Sequence, residues 1–351
     1  MSGNYGWGGR DRSDDYTPSS SGGGFTSART PYATPADYSR PAPSRSATSL
    51  RMTAAPSLAN AELSPRKHIK TTKDNVIIVS LDRTGSMGEW THEIFTRLAL
   101  LFKEGQKYLG ESLEIVFMGF GDSQACGDDF HVAPSGCGPE LDGYLVSLDK
   151  QAHGGGNQIE SAELPAYYVS QQIDTTSAKA VFFFTITDEG FYATVNDGEI
   201  DAILGLRAPT ETVKAAQVFQ SLKTRMNVFL IKAETNCYNG YDKARIDKQW
   251  KDAVGEECFV SLDDHRRVVD VMLGVIAKVR GQMDQFSKDL IARQGSTHFG
   301  SVNIATVSRS ISMVKGAPAS PSIKAGTKSL LAPDLVVDAP KPGTKSLLKD
   351  D

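Results

Sequence analysis

Residues 76–90 read Val-Ile-Ile-Val-Ser-Leu-Asp-Arg-Thr-Gly-Ser-Met-Gly-Glu-Trp. A short apolar run ends at Asp82, and two hydroxyls, Thr84 and Ser86, follow at alternate positions. A continuous β-branched run without polar alternation predicts a strand buried on both faces. Gly85 and Gly88 predict a tight loop after it. One carboxylate and two hydroxyls on that loop make a hard oxygen donor set, suited to Mg²⁺ or Mn²⁺ rather than zinc.

Outward from this stretch, strand-like and helix-like runs alternate over residues 74–282. Strands are predicted at Val76–Leu81, Leu113–Phe120, Ala180–Thr187, Asn227–Ile231 and Cys258–Ser261, with a short edge strand at Tyr144–Leu148. Helical spacing covers Trp90–Tyr108, Ile159–Gln172, Glu211–Arg225 and Asp242–Val254, with Pro165 in tension with the second. Asp263 or Asp264 is expected to cap a long final helix. The pattern predicts an α/β fold with a doubly wound, mostly parallel sheet covered on both faces. In such sheets ligands bind beyond the carboxyl ends of strands. Asp82, Asp122 and Asp188 all fall there, which predicts one acidic site.

The flanks differ in composition. Residues 1–70 form a Gly/Ser/Pro-rich arm, expected to be disordered because it offers too little apolar area to offset its ordering entropy. Residues 283–310 continue a heptad-like stripe through Met272, Val275, Val279, Met283, Phe286 and Leu290. That extension packs either on its own domain or on a partner chain. Residues 311–351 read as a disordered tail in which Gly326-Thr-Lys-Ser-Leu-Leu331 returns as Gly343-Thr-Lys-Ser-Leu-Leu348. The repeat is either a local duplication or a bivalent docking peptide that gains avidity from effective concentration.

The 351-residue chain carries a net charge of -4. Residues 1–60 hold six Arg against four Asp, and residues 308–351 hold seven Lys or Arg against four Asp, leaving the middle at -9. An acidic body with basic tails argues against nucleic acid and for a cation. The four cysteines, Cys126, Cys137, Cys237 and Cys258, lack zinc-type spacing. With no signal-like segment and no long apolar run, the expectation is a cytoplasmic protein with reduced thiols and no membrane span.

Asp82-Arg83-Thr84-Gly85-Ser86-Met87 resembles the first loop of the metal-ion-dependent adhesion site (MIDAS) of von Willebrand factor A (vWA) domains. Thr187-Asp188-Glu189-Gly190 resembles the third loop, and Gly154–Ala162 the second, with Gly156 or Asn157 where a Thr is usual. The resemblance implies an intracellular-type vWA protein in which Asp82, Thr84, Ser86, Asn157 and Asp188 hold Mg²⁺ or Mn²⁺, with one position left for a partner's Asp or Glu. Glu160, Glu163, His153 and Asp122 rank lower as candidates, and Trp90 and Met87 are expected to cover the site's edge.

Three functions follow. The first is a metal-dependent adaptor or scaffold in a multiprotein complex, by family analogy with a MoxR-type AAA+ ATPase or a stress-response system. The alternative is a structural or assembly protein that self-associates, as in a phage or surface layer. The third, a metal-dependent phosphohydrolase, fares worst: such enzymes need an acid two residues after the aspartate, where Thr84 stands. The reading is therefore non-enzymatic.

Overall fold

The computed structural model describes residues 58–235, 240–295 and 298–315. Five strands form the parallel part of a six-stranded sheet: β2 (Asn75–Asp82), β3 (Leu113–Phe120), β7 (Ala180–Thr187), β9 (Asn227–Ala233) and β10 (Phe259–Leu262). A two-residue strand, β4 (His131–Val132), completes the sheet in the order β10-β9-β7-β2-β3-β4. Every residue of β2, β3 and β7 is buried, so the centre of the sheet is covered on both faces. Phe182 and Phe184 project to one face and stack with centroids 6.4 Å apart.

The expected doubly wound vWA or Rossmann-like fold is withdrawn: the described residues form a mixed sheet with helices. β4 runs antiparallel on β3, which makes the sheet mixed. The connection, residues 121–130, holds only the one-turn helix α3 (Ser123–Cys126) and is too short for a helical crossover, so the chain turns back instead. Tyr144–Leu148, expected at the edge, is the second half of a helix, α4 (Glu140–Leu148), whose Leu141, Leu145 and Leu148 are buried at helical spacing. Two small parallel ribbons lie outside the main sheet: β1 (Ile69–Lys70) with β6 (Ile173–Asp174), and β5 (Ile159–Glu160) with β8 (Gly190–Phe191).

The expected helix at 90–108 is two, α1 (Trp90–Leu98) and α2 (Leu101–Leu109). Gly105 lets α2 approach the sheet: a Cβ there would lie 3.2 Å from Leu113 and 3.6 Å from Ile77. The helix expected from Ile159 begins later, as α5 (Glu163–Gln172), with Pro165 in the first turn where its missing N–H costs nothing. After the short α6 (Asp197–Ala202), helices α7 (Ala215–Lys223) and α8 (Gly240–Val254) pack against each other, with Trp250 buried between Phe191 and Phe219.

Asp264 caps a short 3-10 turn, His265–Arg267, by accepting from Arg266 N, and α9 (Val268–Arg280) follows. Gly281, at φ 68°, ends α9 in a left-handed cap. The chain then folds back as α10 (Met283–Gln294) and α11 (His298–Ser310). Phe286, Leu290, Val307 and Ile311 are buried in the chain's own core. Arg293 ties α10 to Asp270 at 3.0 Å and to Glu104 at 3.1 Å. The extension therefore packs on its own domain. The ordered body also reaches into both expected tails: Leu63 is fully buried, and Val314 nearly so. The Gly-Thr-Lys-Ser-Leu-Leu repeat lies outside the described residues, as do residues 1–57.

Candidate functional site

The parallel register delivers four polar loops to one end of the sheet. Asp82 is the last residue of β2, Asp188 follows β7, Thr235 follows β9, and Asp122 follows β3. Asp82 and Asp188 are fully buried. Oδ1 of Asp82 accepts from Thr84 N at 2.9 Å and from Thr84 Oγ1 at 2.6 Å. Oδ2 accepts from Thr187 Oγ1 at 2.6 Å. Ser86 Oγ lies 3.1 Å from Thr84 Oγ1 and donates to Asp188 Oδ1 at 2.9 Å, joining the loops after β2 and β7. Thr235 Oγ1 donates to the other oxygen of Asp188 at 2.5 Å. Four of the five residues singled out from the sequence, Asp82, Thr84, Ser86 and Asp188, thus form one hydrogen-bonded chain.

Asn157 sits elsewhere. Its amide nitrogen donates to Tyr192 OH at 2.9 Å, and its carbonyl oxygen accepts from Ile159 N at 3.0 Å. Tyr192 OH in turn donates to Asp122 at 2.9 Å. Asn157 and Asp122 therefore belong to a neighbouring cluster, which Glu163 borders by accepting from Gln124 at 3.2 Å and from Tyr192 N at 3.2 Å. Glu163 is a buried helix-terminus residue rather than part of the Asp82 chain. Met87 is buried, and Trp90 packs edge-on against His265 at 5.2 Å.

Glu160 and Glu189 complete the acidic character of the centre. Both are at least 98% buried. Glu160 reaches the Asp82 loop: a Cβ on Gly154 would lie 3.1 Å from both Glu160 Oε1 and Thr84 Cβ. Burial, then repulsion from Asp188, raises the Asp82 carboxyl to about 7. Burial, then the charge of Asp82, raises Glu189 to about 7 and pushes Glu160 up strongly. Asp188 is raised by burial against the pull of Thr235, Ser86 and Lys232. Low dielectric and like charge disfavour ionisation together.

Sequence reasoning missed the residues that hold these loops. Asp128, 6% exposed, accepts from His153 N at 3.0 Å, Gly154 N at 2.9 Å and Asp122 N at 3.1 Å. Burial pushes its carboxyl up, but these donors outweigh it and hold it below the usual range. His153 itself is solvent-exposed and adds a ring contact to Asp128 at 3.1 Å. Arg83, buried between loops, bonds the Asp129 carbonyl at 2.5 Å, the Lys150 carbonyl at 3.3 Å and His131 Nδ1 at 3.2 Å. The glycine at position 119 makes room for it, since a Cβ there would meet Arg83 Cδ at 2.6 Å. Thr187 stands in the third loop quoted from the sequence, and the register of β2 on β7, Leu81 opposite Ile186, brings its hydroxyl to Asp82.

Among the described residues no group of three or more His, Cys, Asp or Glu is placed to hold a metal ion. The described cysteines, Cys126, Cys137 and Cys258, are free thiols. No helix among the described residues is long and apolar enough to cross a membrane.

No family model and no curated protein matches the chain. Solved structures similar to it include the pilus adhesin SpaC of Lactobacillus rhamnosus GG, at 15% identity and TM-score 0.44, over 63% of this chain and 31% of that one. Proximal thread matrix protein 1 of the mussel byssus matches at 10% identity and TM-score 0.40, over 61% of this chain and 49% of that one. The adhesive tip pilin GBS104 of Streptococcus agalactiae matches at 9% identity and TM-score 0.35, over 62% of this chain and 99% of that one. The chain thus spans about a third of SpaC and half of the byssal protein. These findings correct three expectations. No match places the chain in the vWA family, so the vWA and MIDAS assignments are withdrawn. The cytoplasmic assignment is withdrawn with them, since the similar structures include the pilus proteins SpaC and GBS104.

Proposed function

We propose that the chain is a non-catalytic structural or assembly protein. Its body presents the loops at the carboxyl end of the sheet as a rigid contact face for another copy. The supporting observation is the enclosure of Asp82: its two carboxylate oxygens accept three hydrogen bonds, from Thr84 and Thr187, inside the body. A nucleophile or general base needs an accessible lone pair and a mobile proton. Here the hydrogen bonds fix loop shape instead, and Ser86 and Asp188 extend that fixation across the sheet. The rim of the face is exposed at Glu89, His153 and Gly155. The reading rests on this site, not on the distant structural likenesses. Sedimentation velocity tests it: the wild-type chain associates with rising concentration, and Glu89→Arg with His153→Glu weakens association at least tenfold. A wild-type chain that stays monomeric throughout overturns it.

The donor set also supports a divalent cation at Asp82, Thr84, Ser86 and Asp188, with Mg²⁺ or Mn²⁺ fitting all-oxygen ligands best. The fit lies in the charge. Four buried carboxyls crowd this end of the sheet, and Glu160 Oε2 is buried without a hydrogen bond. A cation would supply the positive charge that lets them ionise. Isothermal titration of the chain with MgCl₂ and MnCl₂ checks this, with Asp82→Asn expected to abolish the heat. Equal heats in both proteins would sink the cation.

A further inference from the structure

A half-open cavity of about 230 Å³ that shares no lining residue with the Asp82 cluster lies between β1 and the segment that carries β4. Its floor is apolar, formed by the buried Ile69, Val132 and Ala133. Tyr168 walls it, anchored by donating to the Lys67 carbonyl at 2.6 Å. Its rim is cationic: Lys67 and Lys70 are exposed, beside His68. Asp174, which feels the charges of Lys70 and His68, accepts through Oδ1 from Thr176 N at 3.0 Å and from Thr176 Oγ1 at 2.6 Å. Among the described residues Lys67 donates to the Glu62 carbonyl at 3.2 Å and neither Lys67 nor Lys70 closes an ion pair with a carboxylate, which leaves both ammoniums room for carboxylates brought from elsewhere. An apolar floor inside a cationic rim, on a body that is acidic overall, selects a short apolar peptide flanked by acids.

The chain contains one such peptide beyond its described end at Lys315: Asp334-Leu-Val-Val-Asp338, bounded by Pro333 and Pro340. We propose that this segment docks in the cavity of its own chain, with Leu335 and Val337 on the apolar floor and Asp334 and Asp338 against Lys67 and Lys70. In an extended segment residues two apart share a face, which places Leu335 and Val337 together. A volume of 230 Å³ accommodates two aliphatic side chains. The link from Lys315 to Leu335 spans up to about 70 Å, enough to reach any face of a body this size. Tethering raises the local concentration of the segment to about the millimolar range, so a weak contact suffices. The repeated Gly-Thr-Lys-Ser-Leu-Leu is the poorer occupant, because its lysine would meet Lys67 and Lys70.

Zero-length carbodiimide coupling, which joins an ammonium to a carboxylate in direct contact, tests this on the full-length protein. An equal mixture of ¹⁵N-labelled and unlabelled chains separates contacts within a chain from those between chains. The expected product joins Lys67 or Lys70 to Asp334 or Asp338 within one isotopic species. It falls at least fivefold in Leu335→Ser with Val337→Ser, which keeps both carboxylates and leaves the body untouched. Four results overturn the proposal: no such product, an unchanged yield in that variant, coupling only to Asp350 or Asp351, or products that mix the two isotopes.

Discussion

Thr187 Oγ1 donates to Asp82 Oδ2 at 2.6 Å across the centre of the sheet, both groups fully buried. This bond joins neighbouring strands where they turn into loops, and it occupies the one carboxylate oxygen that Thr84 leaves open. Thr187→Val keeps the side-chain shape but strips the donor. The variant is expected to lose about 1–3 kcal/mol of stability, the cost of leaving a buried acceptor unmet. Urea denaturation followed by circular dichroism measures it. A loss below about 0.5 kcal/mol would show that the bond is incidental.

The raised carboxyls set a pH dependence. Asp82 and Glu189 titrate near 7 when folded and near their ordinary values when unfolded. Between about pH 4 and 7 the folded state therefore binds more protons, and stability falls as pH rises. Thermal melts in EDTA should show the chain more stable at pH 5.5 than at pH 8. Asp82→Asn keeps an acceptor for Thr84 and removes the charge, so it should flatten that slope and raise stability at pH 8 by about 1–3 kcal/mol. A steeper slope in the variant would contradict the assignment.

Arg83 should matter as a clamp. Its guanidinium gathers two backbone carbonyls and His131 from the loops around the site. Arg83→Met fills much of the volume yet leaves those carbonyls without a donor, with an expected loss of about 2–4 kcal/mol. Gly119→Ala should cost a similar amount, because its methyl would enter the space of Arg83 Cδ and Nε. The double variant then loses less than the sum, since both act on one contact. Additive losses would separate the two positions.

The back-folded helices give a further check. A Cβ on Gly274 would lie 2.9 Å from both Phe286 and Ile311. Phe286→Ala is expected to cost about 3–5 kcal/mol by opening a cavity under α10. A neutral outcome would mean that α10 does not pack on its own domain.

The sequence showed the central strands well because each is a continuous apolar run whose burial depends on local composition. It showed Asp82, Thr84, Ser86 and Asp188 as one site because parallel strands deliver their carboxyl ends together. It misjudged the edge: Tyr144–Leu148 is short and apolar, and periodicity alone does not separate a strand from a buried helical turn there. The heptad-like stripe ran across Gly281, whose left-handed φ breaks the helix and sends α10 back over α9. Asp128 and Arg83 were invisible as anchors, since their partners are backbone groups distant in sequence. Family likeness misled further, because a short motif of Asp, Thr and Ser carries little information about lineage or location.

The proposed contact face between copies of this chain is formed by the carboxyl-end loops. Sedimentation velocity of the full chain over a hundredfold concentration range, with and without EDTA, tests it most directly. The expected result is concentration-dependent association in the wild type and its loss in Glu89→Arg with His153→Glu, with the fold of that variant intact by circular dichroism. A monomer at every concentration, or equal association in both proteins, would contradict it.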